Sequence, residues 1–402
     1  MEKEIGLELL ETVDFNEAPS RKDTNAEKYA LRKKLFGSED VLPMWVADMD
    51  IETPFFVMDA IAKRVKHPIL GYEEIPDSFF ESQIRWVKER HGYALQREWM
   101  FYSPSVVASI NLCIQAFTDI GDSVLVQSPV YFPFYSSVTN NDRHLIKNIL
   151  VEKDGYYTMD FEALEASIDE KTKLFLLCSP HNPVGRVWTE DELVKLGEIC
   201  IKYDILILAD EIHSDLIYKG FKHIPLAGIT KALEERTITC YGPGKTFNMA
   251  GLAVSTVSIP NDTLRERFTK VYKAVHFAEG TVFGHVGFEA AYTMGEAWLE
   301  ELIEHLQGNI DYLDLCLKEY MPSITMHRPE GTYLAWLDCR GLGLPYSALK
   351  AFFFEEAKLG LSTGISFGKE GDGFMRINLA TPRATVEEAV SRLHSAYEAR
   401  HF

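Results

Sequence analysis

The chain has 402 residues, 46% of them hydrophobic and 12% aromatic, enough for a large core or a pair of lobes and too apolar for a disordered chain. Its formal net charge of −19 argues against nucleic acid and anionic membranes as partners, since both select clustered Lys and Arg. The six cysteines (Cys113, Cys178, Cys200, Cys240, Cys316 and Cys339) form no Cys-x-x-Cys pair, which predicts buried thiols in a reducing compartment rather than disulfides or a zinc site.

The first fifteen residues are acidic and lack a basic region followed by an apolar core, so no signal peptide is expected. No run of 18 apolar residues exists, so no transmembrane helix is expected and the chain reads as cytoplasmic. Residues 1 to about 43 read as a charged arm. Thr53-Pro54 should open a helix running to about Lys66. A loop, ILGYEEIPDSF, follows, then a helix over about Ser78 to His91. From Tyr102 the pattern alternates. VVASINLCIQAFT is a helix after Ser-Pro-Ser. DSVLVQSPVYFPF is a strand that ends in a Pro-rich loop. DRHLIKNILVE is a strand, and KTKLFLLC is a strand running into SPHNPVG. TEDELVKLGEICIKY is a helix with a capping box, Thr189 and Glu192. DILILAD, RTITCY and GLAVSTVSIP are further strands.

Apolar runs without polar alternation, separated by helices, predict an α/β fold with a mostly parallel sheet covered on both faces. After about Ala290, charged helices precede short strands, as in a smaller α+β lobe completed by the N-terminal segment. The expected partition is 1–48 for the arm and part of the small domain, 49–289 for the large domain and 290–402 for the small one.

In such sheets, polar residues just beyond the carboxyl ends of the strands meet in one crevice. Four strand ends qualify: Tyr131 in SPVYFPF, Asn182 in SPHNPVGR, Asp210 in ADEIHSDL and Lys245 in GPGKTFN. The helix start at Val106 and Val107 adds free N–H groups suited to phosphate. Together these groups suit a planar, phosphorylated aromatic aldehyde. Lysine would form an imine, aspartate would hold a ring-nitrogen proton, asparagine would donate to a ring oxygen and the aromatic would stack. Taken singly, each has an ordinary alternative. Lys245 reads as a solvated loop lysine, Asn182 as a turn former and Tyr131 as core. Asp210 with Glu211 reads as a helix cap or metal pair. Arg376, in FMRINLAT, is either an edge residue or a carboxylate clamp.

Two motifs fail. Gly244-Lys245-Thr246 lacks a phosphate loop's first glycine, because Thr239 stands there. No G-x-G-x-x-G follows an early strand. His213 has no second histidine at ligand spacing, so a place near the ring is preferred to a metal site.

The ordered set Tyr131, SPHNPVGR, ADEIHSDL, GKTFNMAGL and RINLATP, with WVADMD, ILGYEEIPDSF and EGTYLAWLD, resembles the fold-type I enzymes that use pyridoxal phosphate. More narrowly, it is similar to the cystathionine β-lyase and cystalysin type of C–S lyase within the class I/II aminotransferase superfamily, from about residue 20 to the end. The resemblance implies an aspartate aminotransferase-like fold and a homodimer with sites at the subunit interface. It implies that Lys245 carries the imine and moves the Cα proton. Asp210 would pair with the ring nitrogen, Asn182 with the ring oxygen, and Tyr131 would stack, with His213 nearby. Val106 and Val107 would hold the phosphate, with Tyr72 reaching that of the partner subunit. Arg376, with Tyr131 and Ala47, would receive the amino-acid substrate. The implied reaction is αβ-elimination of cystathionine or a related cysteine S-conjugate; the alternatives are transamination on the same cofactor, or a lyase scaffold with an added regulatory role. Two residues depart from the pattern: Gly244 replaces a phosphate-binding serine, and Phe132 replaces a second tyrosine found in cystalysin.

Overall fold

The computed structural model describes residues 14–21, 23–276 and 280–402; the acidic N-terminal stretch lies outside them. Seven strands form the central sheet: β1 Met100–Ser103, β2 Ser123–Ser128, β3 His144–Ile149, β4 Thr172–Cys178, β5 Leu206–Asp210, β6 Thr237–Tyr241 and β7 Ser255–Ser258. Their order across the sheet is β1-β7-β6-β5-β4-β2-β3. The strands from β6 to β3 run parallel, and β7 is antiparallel to both neighbours. The missing polar alternation has a direct cause. Successive side chains of a strand point to opposite faces, and both faces are covered. In β4, Leu174, Leu176 and Cys178 enter one core with Val106, Ile110 and Cys113 of the helix Val106–Phe117. Phe175 and Leu177 enter the other, with Leu193, Leu196 and Cys200 of the helix Glu190–Lys202. Both helices start on side-chain caps. Ser105 accepts from the Ala108 N–H, and Thr189 with Glu192 forms the expected capping box.

A second sheet of four antiparallel strands is built from Thr325–Met326, Leu334–Asp338, Ser362–Thr363 and Phe374–Asn378. The helices Glu296–Tyr320 and Arg383–Arg400 accompany it. Near the other end of the chain, Leu42–Pro43 pairs in parallel with Leu359–Gly360. From there residues 44–51 run toward the large sheet, fixed on the way by Asn378, whose Nδ2 donates to the Val46 and Asp48 carbonyls at 2.5 and 2.6 Å.

The structure departs from the sequence reading in three places. The Pro-rich segment after Tyr131 is a helix, Pro133–Thr139, with proline at its first turn, where its missing N–H costs no hydrogen bond. The strand read through DRHLIKNILVE stops at Ile149. Val151–Lys153 turns off to pair with Tyr156–Thr158 across Asp154-Gly155, both at positive φ, the geometry of a tight hairpin. Helices Asp262–Val275, Val282–Met294 and Arg383–Arg400 are additions to the elements read from sequence. Two of them carry N-cap signals, Asn261 and Thr281.

Candidate active site

The carboxyl ends of β2, β4, β5 and β6 open onto one cavity of about 820 Å³, including its mouth. It is lined by Ala47, Ser105, Val106, Val107, Tyr131, Asn182, Asp210, His213, Gly244 and Lys245. The four strand-end residues thus meet because their strands are neighbours in a parallel sheet.

Lys245 is no solvated loop lysine. Burial, reinforced by the Arg376 cation, brings its pKa down to about 8, against the opposing pull of Asp48 and Asp210. Its Nζ donates to the Ala47 carbonyl at 2.6 Å, an acceptor shared with the Tyr333 hydroxyl at 2.9 Å. Asp210 ends β5. Burial raises its carboxyl to about 7, although the Ile212 N–H and Lys245 both favour its charge. His213 is driven down to about 3 by burial and by the Lys245 and Arg376 cations, and its Nδ1 has no protein partner.

Arg376 stands on the second sheet opposite Asn182. Its Nη1 donates to the Asn182 Oδ1 at 2.9 Å, which leaves the Asn182 amide nitrogen for a ligand oxygen. Its Nη2 donates to the Trp45 carbonyl at 2.7 Å and to the Ser362 hydroxyl at 3.3 Å. Burial lowers this guanidinium to about 10, and its Nε has no partner. A buried, incompletely satisfied cation is a receptor for an anion. The first two N–H groups of the Val106–Phe117 helix border the same cavity, beyond the reach of intrahelical acceptors. Tyr131 anchors its backbone N–H on the Asn182 carbonyl at 3.1 Å, and Phe132 lies beside it, ring centroids 5.2 Å apart and half-exposed.

Tyr72 is the exception among the expected residues. It is fully exposed and does not border its own chain's cavity. Sequence reasoning missed three contributors. Tyr333 shares the Lys245 acceptor. Asn248, at φ +50°, accepts from the Met49 N–H at 3.0 Å and donates to the Met49 and Ile51 carbonyls at 3.1 and 2.7 Å. It staples the lysine loop to residues 47–51. Its position three residues past the lysine, in KTFN, was the one available signal. Third, the Trp45 carbonyl holds Arg376. Among the described residues, no group of three or more His, Cys, Asp or Glu could hold a metal ion.

The donor set fits pyridoxal phosphate: helix N–H groups for the phosphate, a buried carboxyl for the ring nitrogen, a free amide for the ring oxygen and a low-pKa amine for the aldehyde. Comparison with known proteins agrees. The family model of the class I and II aminotransferases matches residues 40–393. Cystathionine beta-lyase PatB of Bacillus subtilis (strain 168) is 38% identical over 385 residues, 96% of this chain and 100% of that one. Cystalysin from Treponema denticola, which contains pyridoxal 5'-phosphate, has a TM-score of 0.94 at 36% identity, covering 96% of this chain and 99% of that one. A PLP-bound candidate aminotransferase from Clostridium difficile 630 has a TM-score of 0.94 at 43% identity, covering 96% and 100%.

Proposed function

The chain belongs to the class I and II aminotransferase family, and from that premise we propose that it is a pyridoxal-phosphate-dependent carbon–sulfur β-lyase. The substrate class is cystathionine or related L-cysteine S-conjugates. The observation that carries this reading is the full-length likeness to a cystathionine β-lyase joined to a cavity with all four strand-end residues in place.

Bound there, pyridoxal phosphate supplies an electron-withdrawing ring that accepts the pair left behind when a Cα proton departs. The chain's own residues do the rest. Lys245, with its pKa near 8, is neutral often enough near pH 8 to be the amine that would hold the cofactor's aldehyde carbon. Its Nζ, when free, would be the base that takes the substrate's Cα proton. Asp210 would hold a proton on the ring nitrogen, and Asn182 would donate to the ring oxygen. Tyr131 would cover the ring face, and the Val106 and Val107 N–H groups would hold the phosphate. Arg376 exchanges the Trp45 carbonyl for the substrate carboxylate, which it can grip with two N–H groups. The thiolate leaves from Cβ, and the three-carbon remainder hydrolyses to pyruvate and ammonia.

Arg376→Lys keeps the charge and loses the fork. Steady-state kinetics should show KM raised about 10- to 100-fold, the value of one charge-assisted hydrogen bond, with a smaller change in kcat. Gly244 has room for more than a hydrogen. A Cβ there would come no nearer than 3.4 Å to Ala250, ordinary van der Waals contact, and its φ is not positive. Gly244→Ser should therefore fold and add a phosphate donor worth about 1.5–3 kcal/mol, lowering the cofactor Kd roughly 10- to 100-fold in an equilibrium titration.

The same reading makes the protein a homodimer. Tyr72 projects fully exposed beside Ile69 and Leu70, themselves exposed, and would reach the phosphate held by a second copy. It divides the chain into the three segments expected from sequence, with the pairing of 42–43 to 359–360 joining the first to the third. It places the protein in the cytoplasm, in keeping with six free, buried cysteines; no described helix is long and apolar enough to cross a membrane.

The likeness to the Clostridium difficile protein favours a second reading, transamination. Incubation of the cofactor-loaded protein with cystathionine separates the two. Release of thiol supports the lyase, whereas conversion of the cofactor to its amine form without thiol supports the aminotransferase.

A further inference from the structure

Lys245 needs a fixed distance to Asp210, yet it sits on an irregular loop beyond β6. Within that loop the Phe247 N–H bonds the Pro243 carbonyl and the Met249 N–H bonds the Gly244 carbonyl; both bonds are local and neither reaches β5. A side-chain tie to the segment that follows β5 comes from Asp215, five residues past Asp210 and only 4% exposed. Its Oδ2 accepts from the Thr246 hydroxyl at 2.9 Å. Its Oδ1 accepts from the Trp86 Nε1 at 2.9 Å and lies 2.9 Å from the His91 Nε2. Arg90, 3.7 Å away through Nε, completes the surround and also donates to the Asp215 carbonyl at 3.2 Å. Burial opposes ionisation, but His91, Arg90 and Trp86 hold the carboxyl below its ordinary range. A buried carboxylate gripped from one helix, Asp77–His91, and gripping the residue next to the lysine is a rigid bracket. Thr246 is itself fully buried.

We propose that Asp215 is a positioning residue that acts through the Thr246 hydroxyl to set where Lys245 stands relative to Asp210. The inference rests on the lyase reading for its kinetics, but not for its geometry.

The direct test is Thr246→Val, which keeps the shape and removes the hydroxyl, beside Thr246→Ser, which keeps the hydroxyl. Thr246→Val should lower kcat about 10- to 100-fold with KM within about twofold, and Thr246→Ser should recover most of it. In cofactor-free protein, the rate at which trinitrobenzenesulfonate labels Lys245, read by peptide mass, should change at least about threefold in Thr246→Val and not in Thr246→Ser. Asp215→Asn should follow Thr246→Val. An unchanged kcat, an unchanged labelling rate, or a Thr246→Ser variant as impaired as Thr246→Val overturns the proposal. The unaltered protein is the control for the reaction: if it releases no thiol, the lyase reading fails, and the labelling comparison still decides the bracket.

Discussion

Lys245→Ala should reduce thiol release by at least ~10³-fold, as losing a covalent catalytic group does, and should leave the chain folded. The structure supports both halves. The Nζ is the low-pKa amine in the cavity, and its pKa near 8 comes from burial, which alanine does not reproduce. Removing it orphans nothing, because the Ala47 carbonyl keeps the Tyr333 hydroxyl at 2.9 Å. The space it vacates opens into the existing cavity, so no closed void forms. The variant should therefore bind pyridoxal phosphate reversibly and lose the absorbance of the lysine-attached cofactor, with a melting temperature close to that of the unaltered apoprotein. Thiol release within tenfold of the unaltered protein would remove Lys245 from the chemistry.

Asp210→Asn should cost ~10²–10⁴-fold in kcat, in the range of losing a preorganised electrostatic partner. An amide cannot hold a proton on the ring nitrogen, and the ring then withdraws electrons poorly. The same substitution should stabilise the cofactor-free protein at alkaline pH. An exposed aspartate titrates near 3.9, whereas burial brings Asp210 to about 7. The folded chain therefore holds this proton more tightly than the unfolded one. The stability linked to it is fully present below pH ~4 and is lost as pH rises through about 7. Asparagine carries no such dependence. At pH 8 the variant apoprotein should be more stable by on the order of 1–3 kcal/mol, and at pH 4 the difference should close. Melting curves of the two apoproteins at both pH values measure it. Loaded with cofactor, the order should reverse, since the ring cation then compensates the charge.

The parallel sheet and its crevice were legible because a strand covered on both faces must be apolar throughout. A polar residue where such a run stops, as in LILAD or RTITCYGPGK, stands out. Cap signals fixed helix starts at Ser105 and Thr189 for the same local reason. The second layer of the site was not legible. Tyr333 and Asn248 act through contacts with residues 197 to 286 positions away in the chain, which no local pattern encodes. Nothing in ADEIHSDL marks Asp215 out from its acidic neighbours, because its partners Trp86, His91 and Thr246 lie far along the chain. Tyr72 was reached by resemblance alone; it is fully exposed in the single chain, and the role proposed for it lies in another copy.

The most direct test of the central claim is a carbon and nitrogen balance on cystathionine, run with and without an added 2-oxo acid. The lyase account predicts thiol, pyruvate and ammonia in equal amounts, at a rate independent of the oxo acid. No thiol, and turnover only when an oxo acid is supplied, would contradict it.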